Sequence, residues 1–187
     1  MQVRKLVLVG DTRVGKTSIM QKKAMPDRFG ETKPTIGCHC ADVTIGNKTL
    51  NIWDTAGQEM YRSLVPVYFR NADAAFIVYD PTELMSYQSV KFWHDIILNA
   101  VGGDIPIYLI ENKIDLEDDF KVMHWHAREF ANQNKLHYFR VSAKTGEGIE
   151  ALFFDVMKKI EENNSNVIIN QKKSGLAING STKKSCC

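Results

Sequence analysis

Long hydrophobic runs are missing from this sequence. No run approaches the roughly eighteen apolar residues that a membrane-spanning helix requires, so we expect no such helix. The first residues lead directly into a strand-like segment, so no signal peptide is expected. Cysteine is also scarce, with 4 residues in 187, and two of them are the final two positions. These absences argue against a disulfide framework and favour a reducing, cytosolic setting.

An excess of one charge is lacking as well, because the formal net charge is only +2. So small an excess gives no indication of nucleic-acid binding. Residues 163–187 nevertheless contain four lysines and no acid, which leaves the rest of the chain faintly acidic. Asn, Ser, Lys and Gly dominate that end. We therefore predict one folded domain over residues 1–162 and a flexible basic tail over residues 163–187.

A glycine-rich loop lies near the N-terminus. Residues 10–17 read G-D-T-R-V-G-K-T and match G-x-x-x-x-G-K-[ST], the pattern of a phosphate-binding loop. The apolar run 5–9 before it predicts a buried strand, and residues 17–23 after it predict a helix. That context brings backbone N–H groups and a helix N-terminus up to phosphate oxygens. Lys16 then supplies a cation to the phosphates, and the Thr17 hydroxyl supplies a ligand for Mg²⁺.

A long polar loop over residues 25–37 contains two prolines and two glycines. Loops of this length in compact domains are often functional. Thr35 offers a hydroxyl for Mg²⁺ and an N–H for a γ-phosphate, while Phe29 offers a ring that can stack on a base. The alternatives are an ordinary loop hydroxyl for Thr35 and a core ring for Phe29.

A hairpin is predicted next, with strands 38–45 and 49–53 joined at Gly46-Asn47. Asp54 follows the second strand, where a carboxylate for the metal site belongs if a phosphate loop lies opposite. Gly57 allows its N–H to approach a γ-phosphate, and the Gln58 amide can both accept from and donate to a water. A plain tight turn accounts for the glycine but not for the whole pattern Asp-x-x-Gly-Gln.

Three more buried strands are predicted over residues 74–80, 105–110 and 137–141, with helices over 89–100, 127–134 and 149–160. The predicted fold is therefore a doubly wound α/β domain with a mostly parallel sheet, in which ligands bind at the carboxyl ends of the strands. His124 and His126 lack a third ligand nearby in the sequence, so we interpret them as part of a solvated helix face.

The segment Asn112-Lys113-Ile114-Asp115 follows one of these strands. A carboxylate can accept two hydrogen bonds from the N1–H and 2-amino groups of guanine, whereas adenine has no such donor pair. Asp115 therefore predicts a guanine pocket, with Asn112 on the base N7 and the Lys113 stem over a ring face. Taken alone, the segment is more simply interpreted as an exposed polar loop. Residues 142–144, Ser-Ala-Lys, follow the last strand and offer a backbone N–H to the guanine O6 and a lysine to pack on the base.

In this order, the motifs resemble the Ras superfamily of small GTPases over residues 2–162 and, within it, the Rab family. The run L-N-I-W-D-T-A-G-Q-E at 50–59 and the run I-V-Y-D-P-T at 77–82 are similar to Rab signatures. The terminal Cys186-Cys187 looks like the Rab double geranylgeranylation site. The resemblance implies a prenyl-anchored switch of vesicle trafficking that slowly hydrolyses GTP to GDP.

The resemblance also implies a set of site residues. Gln58 orients the attacking water, and Mg²⁺ lies on Thr17 and Thr35 with Asp54 behind them. The residues expected to bind GTP are Arg13, Val14, Gly15, Lys16, Thr17, Ser18, Phe29, Thr35, Gly57, Asn112, Lys113, Asp115, Ser142, Ala143 and Lys144. The implied partners are an exchange factor, a GTPase-activating protein, effectors and the escort and prenylation machinery. The implied location is the cytosolic face of an intracellular membrane, with a soluble cytosolic pool.

The chain departs from the Rab pattern in several places. Cys38-His39-Cys40 replaces a segment that usually ends in phenylalanine, and the hairpin is shorter than is usual. Thr12 and Arg13 are larger than the residues often found there, near the entry point of an activating protein's arginine. We hypothesise that they weaken the response to activating proteins.

Two other functions are alternatives to a hydrolysing switch. A small phosphate-loop kinase needs a lid with arginines, and the sequence shows no arginine-rich insertion. A GTP-binding interaction module with negligible turnover remains the alternative, favoured by Thr12-Arg13 and opposed by the intact Gln58.

Overall fold

The computed structural model describes residues 3–27, 30, 35–56, 65–101 and 104–176; of residues 65 and 166–176 it describes the backbone alone. A six-stranded sheet forms the centre, in the order β2-β3-β1-β4-β5-β6. Only the β2–β3 pair is antiparallel among the neighbouring strands. The strands are β1 Arg4–Val9, β2 Cys38–Ile45, β3 Lys48–Thr55, β4 Ala74–Tyr79, β5 Ile107–Glu111 and β6 His137–Arg140.

Helices cover both faces of this sheet. They are α1 Lys16–Ala24, α2 Val65–Tyr68, α3 Leu84–Gln88, α4 Val90–Ala100, α5 His124–Gln133 and α6 Ile149–Leu176, with a 3₁₀ helix over Ile114–Asp119. None of the helices in the described part of the chain is long and apolar enough to cross a bilayer.

Two hydrophobic cores lie on opposite faces of the sheet. Because side chains alternate along a strand, Leu6 and Leu8 of β1 enter one core and Val7 and Val9 enter the other. The first core includes residues of α1 and α6, and the second includes residues of α4 and α5. Helices on both faces of a mostly parallel sheet confirm the predicted doubly wound α/β fold.

The parallel strands place their carboxyl ends at one edge of the sheet. β1 is hydrogen-bonded to both β3 and β4, so these strands form the centre of the sheet. The segments that follow β1, β4, β5 and β6, together with the end of β3, therefore meet at that edge. Ligands of open α/β sheets bind in this position.

The structure alters several predicted element bounds. Helix α3 was not predicted; it ends at Gln88, and the predicted helix from residue 89 begins as α4 at Val90. Strand β5 begins at Ile107 rather than at residue 105, since Pro106 has no N–H to donate to a ladder. Helix α5 covers His124–Gln133 and so begins before the predicted residue 127. The hairpin is confirmed, with Gly46 at φ 62° in its turn.

The last helix extends well past the predicted end at residue 160, and α6 reaches Leu176. Its backbone continues through residues that the composition assigned to a flexible tail. Two polar side chains in this part of α6 bond to carbonyls of the preceding helical turn: Asn164 Nδ2 donates to the Ile160 carbonyl at 2.7 Å and Ser165 Oγ to the Glu161 carbonyl at 2.9 Å. Asn163 Nδ2 also donates to the Asp104 carbonyl at 2.6 Å. Composition missed these side-chain-to-backbone bonds, and the domain boundary at residue 162 stays a prediction.

Candidate functional site

The phosphate loop joins β1 to α1, as the motif predicted. Gly10 has φ 138° and Gly15 has φ 96°, values that L side chains rarely adopt. A Cβ on Gly10 would clash with the Val78 carbonyl oxygen, and a Cβ on Gly15 would clash with Asn112 Nδ2. Both glycines are therefore required by close approach as well as by conformation.

Lys16 lies over this loop. Its Nζ donates to the carbonyl oxygens of Gly10 and Asp11, each at 2.8 Å, and the residue is 5% exposed. Burial lowers the pKa of Lys16 to about 8, although the nearby Asp54 and Asp11 carboxylates oppose that shift. The ammonium group is thus held close to the loop that is expected to receive phosphates.

Three oxygen-bearing side chains meet beside Lys16. Thr17 Oγ1 donates to Asp54 Oδ2 at 2.6 Å and lies 3.0 Å from Thr35 Oγ1, and Thr35 Oγ1 is 3.1 Å from the same carboxylate oxygen. These residues come from the start of α1, the segment before β2 and the end of β3. The structure therefore brings together the three residues predicted for the metal site.

Asp54 is fully buried, and its Oδ1 has no hydrogen-bond partner among the described residues. Burial raises the pKa of Asp54, against the opposing effect of the two threonine hydroxyls and Lys16. A buried carboxylate with an unsatisfied oxygen is stabilised by a nearby cation. Two hydroxyls and a carboxylate are also the hard oxygen donors that Mg²⁺ prefers, so this donor set fits the ion.

Asn112 connects the predicted base-binding segments to the phosphate loop. Its Nδ2 donates to the Val14 carbonyl at 2.8 Å, and its Oδ1 accepts from the Ala143 N–H at 3.1 Å. The residue is 1% exposed. The contact of Asn112 with the base N7 stays a prediction; the structure shows that Asn112 links its own segment to the phosphate loop and to the segment that contains Ala143.

Asp115 lies against the Ser142–Lys144 segment. Ser142 Oγ donates to Asp115 Oδ1 at 2.5 Å, and Lys144 Nζ lies 3.6 Å from Asp115 Oδ2. The Asp115 side chain is 14% exposed. Lys113 adopts a left-handed backbone with φ 64°, and its Nζ forms an ion pair of 2.5 Å with buried Asp80. The two predicted base motifs therefore form one connected site.

Sequence comparisons agree with this geometry. A model of the Ras family matches residues 5–162. GTP-binding protein YPT52 of Saccharomyces cerevisiae is 37% identical, with 90% of this chain and 86% of that protein covered. Ras-related protein Rab5 of Nicotiana tabacum is 35% identical, with 98% of this chain and 94% of that protein covered. Ras-related protein Rab-21 of Mus musculus is 36% identical, with 84% of this chain and 73% of that protein covered.

This chain belongs to the Ras family. Its relatives identify it as a small GTPase of the Rab type, that is, a GTP hydrolase of vesicle trafficking. Ras-family GTPases bind GTP and GDP, generally with Mg²⁺, and the hydroxyl–carboxylate cluster of this chain fits that ion.

Several residues predicted for the GTPase site lie outside the described part of the chain. They are Phe29, Gly57, Gln58, Cys186 and Cys187. Besides Gly15, Lys16 and Thr17, three more predicted residues of the phosphate loop and α1 are described: Val14 is buried in the first core, Ser18 is half-buried and Arg13 is exposed. Thr12 is exposed beside Arg13, so both side chains are accessible from solvent.

His124 and His126 are not part of this GTPase site. His126 is exposed and His124 is half-buried on α5. Within the described ranges, no group of three or more His, Cys, Asp or Glu side chains is arranged to hold a metal ion. The two histidines stay interpreted as a helix surface.

Sequence reasoning missed two supports of the site. Trp93 of α4 donates its Nε1–H to Asp11 Oδ1 at 2.9 Å, a contact that the predicted helix over residues 89–100 did not indicate. Asp80 pairs with Lys113 and also accepts from the Thr82 N–H and hydroxyl at 2.9 and 2.7 Å. The position of Asp80 at the end of a buried strand was the available signal for its role.

Proposed function

We propose that this Rab-type GTPase is a switch that alternates between GTP-bound and GDP-bound forms and hydrolyses GTP slowly. The observation that carries the proposal is the convergence of Lys16, the Thr17–Thr35–Asp54 cluster and Asp115 at one edge of the sheet. A triphosphate, its metal and a purine base then have adjacent places on one surface.

The phosphate end of the site acts through charge and orientation. The Lys16 ammonium exchanges its bonds with loop carbonyls for bonds with the β- and γ-phosphates, and the N–H groups at the start of α1 donate to the same oxygens. Thr17 and Thr35 would hold Mg²⁺, with Asp54 accepting from both hydroxyls. Bound Mg²⁺ neutralises negative charge on the phosphates.

The base end of the site provides specificity. The Asp115 carboxylate accepts the N1–H and the 2-amino group of guanine, with Ser142 and Lys144 orienting it. An adenine in the same place would leave the carboxylate without these donors, and such loss of buried hydrogen bonds is strongly discriminating. Asn112, Lys113, Ser142, Ala143 and Lys144 complete this pocket.

Hydrolysis and switching are assigned to residues outside the described ranges together with Thr35. Gln58 orients the attacking water, and Gly57 and Thr35 bind the γ-phosphate through backbone N–H groups. Loss of that phosphate releases both segments, which is how the two forms differ. An arginine supplied by an activating protein typically accelerates hydrolysis by about 10³–10⁵. The exposed Thr12 and Arg13 lie on the loop beside which that arginine would enter.

Membrane attachment is assigned to the C-terminal segment. Two adjacent cysteines, Cys186 and Cys187, provide sites for two prenyl chains, and two chains anchor a protein stably where one does not. The four lysines of residues 163–187 add electrostatic attraction to an anionic cytosolic leaflet. Changing both cysteines to serine should move a tagged protein from membranes to the cytosol. Unchanged membrane association would contradict this assignment.

Hydrolysis is tested by single-turnover measurements on protein loaded with GTP labelled on its γ-phosphate. We expect slow phosphate release by the wild-type protein and slower release by Gln58→Leu. Addition of ATP in excess should not displace the bound GTP. Equal displacement by ATP and unlabelled GTP would contradict guanine recognition. Equal rates for the two proteins would contradict the role of Gln58, and no turnover in either would favour a binding module.

A further inference from the structure

A buried carboxylate lies directly before the Asn112–Asp115 segment. Glu111 is the last residue of β5 and is 0% exposed. Glu111 has no role in the proposed binding or hydrolysis of GTP. Burial of an ionised carboxylate is unfavourable unless the group is paired and hydrogen-bonded, so its partners indicate what the residue does.

Three side chains bind the Glu111 carboxylate. Tyr79 donates its hydroxyl to Oε2 at 2.6 Å, and Tyr138 donates to the same oxygen. Arg140 donates Nε–H to Oε1 at 2.8 Å. Burial and the Glu111 charge raise the pKa of both tyrosines, so the two phenols stay protonated and act as donors. The carboxylate is therefore held from three directions.

Arg140 has a second acidic partner beyond the base motif. Its Nη2 donates to Glu117 Oε1 at 3.3 Å, and Glu117 lies in the 3₁₀ helix that follows the start of that motif. One guanidinium thus contacts the residue before Asn112 and a residue two positions after Asp115. Partial burial opposes its charge, but the hydrogen bond and charge of Glu111 and the hydrogen bond to Glu117 raise the pKa of Arg140. The cation persists across the physiological range.

The backbone transmits this contact to the base pocket. Arg140 and Glu111 are register partners in β6 and β5, and the Val141 N–H donates to the Glu111 carbonyl at 2.8 Å. The Ile114 N–H donates to the Val141 carbonyl at 3.3 Å. Arg140 and its partner Glu111 therefore lie directly before the two segments that form the Asp115 site, residues 142–144 after β6 and residues 112–115 after β5.

We infer that Arg140 is a positioning residue, which together with Glu111 and Glu117 fixes the Asp115 carboxylate where it discriminates guanine from purines that lack the 2-amino group. The inference rests on the proposed function, because it requires that Asp115 binds guanine. Arg140 itself does not touch the nucleotide. Its effect on affinity is therefore expected to depend on the 2-amino group, which Asp115 recognises.

The test compares two fluorescent nucleotides on the full-length protein: ribose-labelled GDP and ribose-labelled inosine diphosphate, which lacks the 2-amino group. The wild-type protein should release the inosine nucleotide faster than GDP. In Arg140→Ala, release of GDP should accelerate by about tenfold, because Asp115 loses its fixed position and its hydrogen bonds weaken. Release of the inosine nucleotide should accelerate less, so the ratio of the two rates falls.

Arg4→Ala is the matched control. Arg4 forms a partly buried ion pair with Asp73 at 3.2 Å, at the amino end of β1 and thus at the opposite edge of the sheet. Loss of that pair should leave the ratio of release rates unchanged. Arg140→Lys retains a cation for Glu111 but lacks the second arm to Glu117. The ratio of the two release rates in Arg140→Lys should lie between the ratios of the wild type and Arg140→Ala. Arg140→Lys serves as the test if Arg140→Ala does not fold.

The outcomes separate the two proposals. A wild-type protein that releases both nucleotides equally fast would overturn guanine recognition by Asp115 and this inference with it. A discriminating wild type with an unchanged ratio in the Arg140 variants would overturn this inference alone. Equal acceleration of both nucleotides would show that Arg140 supports the fold without positioning Asp115.

Discussion

Trp93 donates its indole Nε1–H to Asp11 Oδ1 over 2.9 Å, which joins helix α4 to the phosphate loop across 82 positions of sequence. Trp93 is 1% exposed and packs in the second core. Lys16 binds the same loop through the Gly10 and Asp11 carbonyls. A core side chain of α4 and the buried Lys16 therefore both bind this loop.

Trp93→Phe should destabilise both the fold and the loop. The variant loses a hydrogen bond to a charged acceptor and leaves a small void, so we expect the free energy of unfolding to fall by about 1–3 kcal/mol. Release of GDP should become faster, because Asp11 is held less firmly. Trp125→Phe is the same change at a 53% exposed position on α5 and should alter neither quantity. Urea unfolding followed by circular dichroism, with fluorescent GDP release, measures both; equal effects of the two variants would contradict the assignment.

The phosphate loop and the strand ends were predictable because their signals are local. A glycine pattern between a β-branched run and a helix fixed the position of residues 10–17, and buried runs located the parallel strands. The contact between Trp93 and Asp11 and the bond from Asn112 to Val14 span 82 and 98 positions, and no periodicity encodes them. Sequence therefore predicted which segments meet, and tertiary packing determined how they are held.

Gly15→Ala should strongly weaken GDP binding, although the substitution adds only one methyl group. A Cβ at this position would clash with Asn112 Nδ2, and φ 96° strains any L residue. Since Asn112 binds both Val14 and Ala143, its displacement disturbs the phosphate loop and the base pocket together. We expect GDP affinity to fall by about a hundredfold or more. Titration with fluorescent GDP measures the loss.

Gly46→Ala is the matched control for Gly15→Ala. Gly46 also has positive φ, at 62°, but a Cβ there would meet no atom within 4 Å beyond its chain neighbours. Its cost is conformational strain alone, about 1–2 kcal/mol of stability, with GDP affinity retained. Equal loss of affinity in both glycine variants would show that the steric role of Asn112 is wrong.

Asp54→Asn should stabilise the nucleotide-free protein in EDTA at neutral pH. Burial raises the pKa of Asp54, so the folded state binds its proton at a higher pH than the unfolded state, whose value is near 3.8. The contribution of this group to stability is therefore fully present below pH 3.8 and is lost as pH rises through the raised value. The advantage of the variant should shrink on acidification.

Urea unfolding between pH 4 and pH 7 measures that difference. Asp95→Asn is the control, because Asp95 is a half-exposed partner of Lys91 on α4, and the same substitution there should not stabilise the protein at pH 7. An Asp54→Asn variant that is less stable than the wild type at pH 7 without Mg²⁺ would contradict the assignment. With GDP bound, the variant should also need more Mg²⁺ to slow nucleotide release.

The C-terminal half of α6 shows why part of the chain was not predictable. Residues 163–165 are polar and were interpreted from composition as the start of a flexible segment. Asn163 reaches the Asp104 carbonyl, and Asn164 and Ser165 bind carbonyls of the preceding helical turn. Composition counts residue types and carries no information about these specific acceptors. Glu111 was missed for a related reason, since its partners lie on β4 and β6 and not beside it in the sequence.

Nucleotide binding should weaken at alkaline pH because of Lys16. Burial lowers the pKa of Lys16 to about 8, from an unfolded value of 10.5. Above that pH the nucleotide-free protein loses the ammonium that attracts phosphates, so the association rate of fluorescent GDP should fall as pH rises from 7 to 9.5. Between these two pKa values the folded state holds fewer protons than the unfolded state, so the stability of the nucleotide-free protein should rise over the same pH range.

Lys16→Gln should associate slowly with GDP at a rate that does not depend on pH, while Lys22→Gln should retain the fall in rate with rising pH. Stopped-flow fluorescence measures these rates, and a wild-type rate that does not change between pH 7 and pH 9.5 would rule out titration of Lys16 in this range.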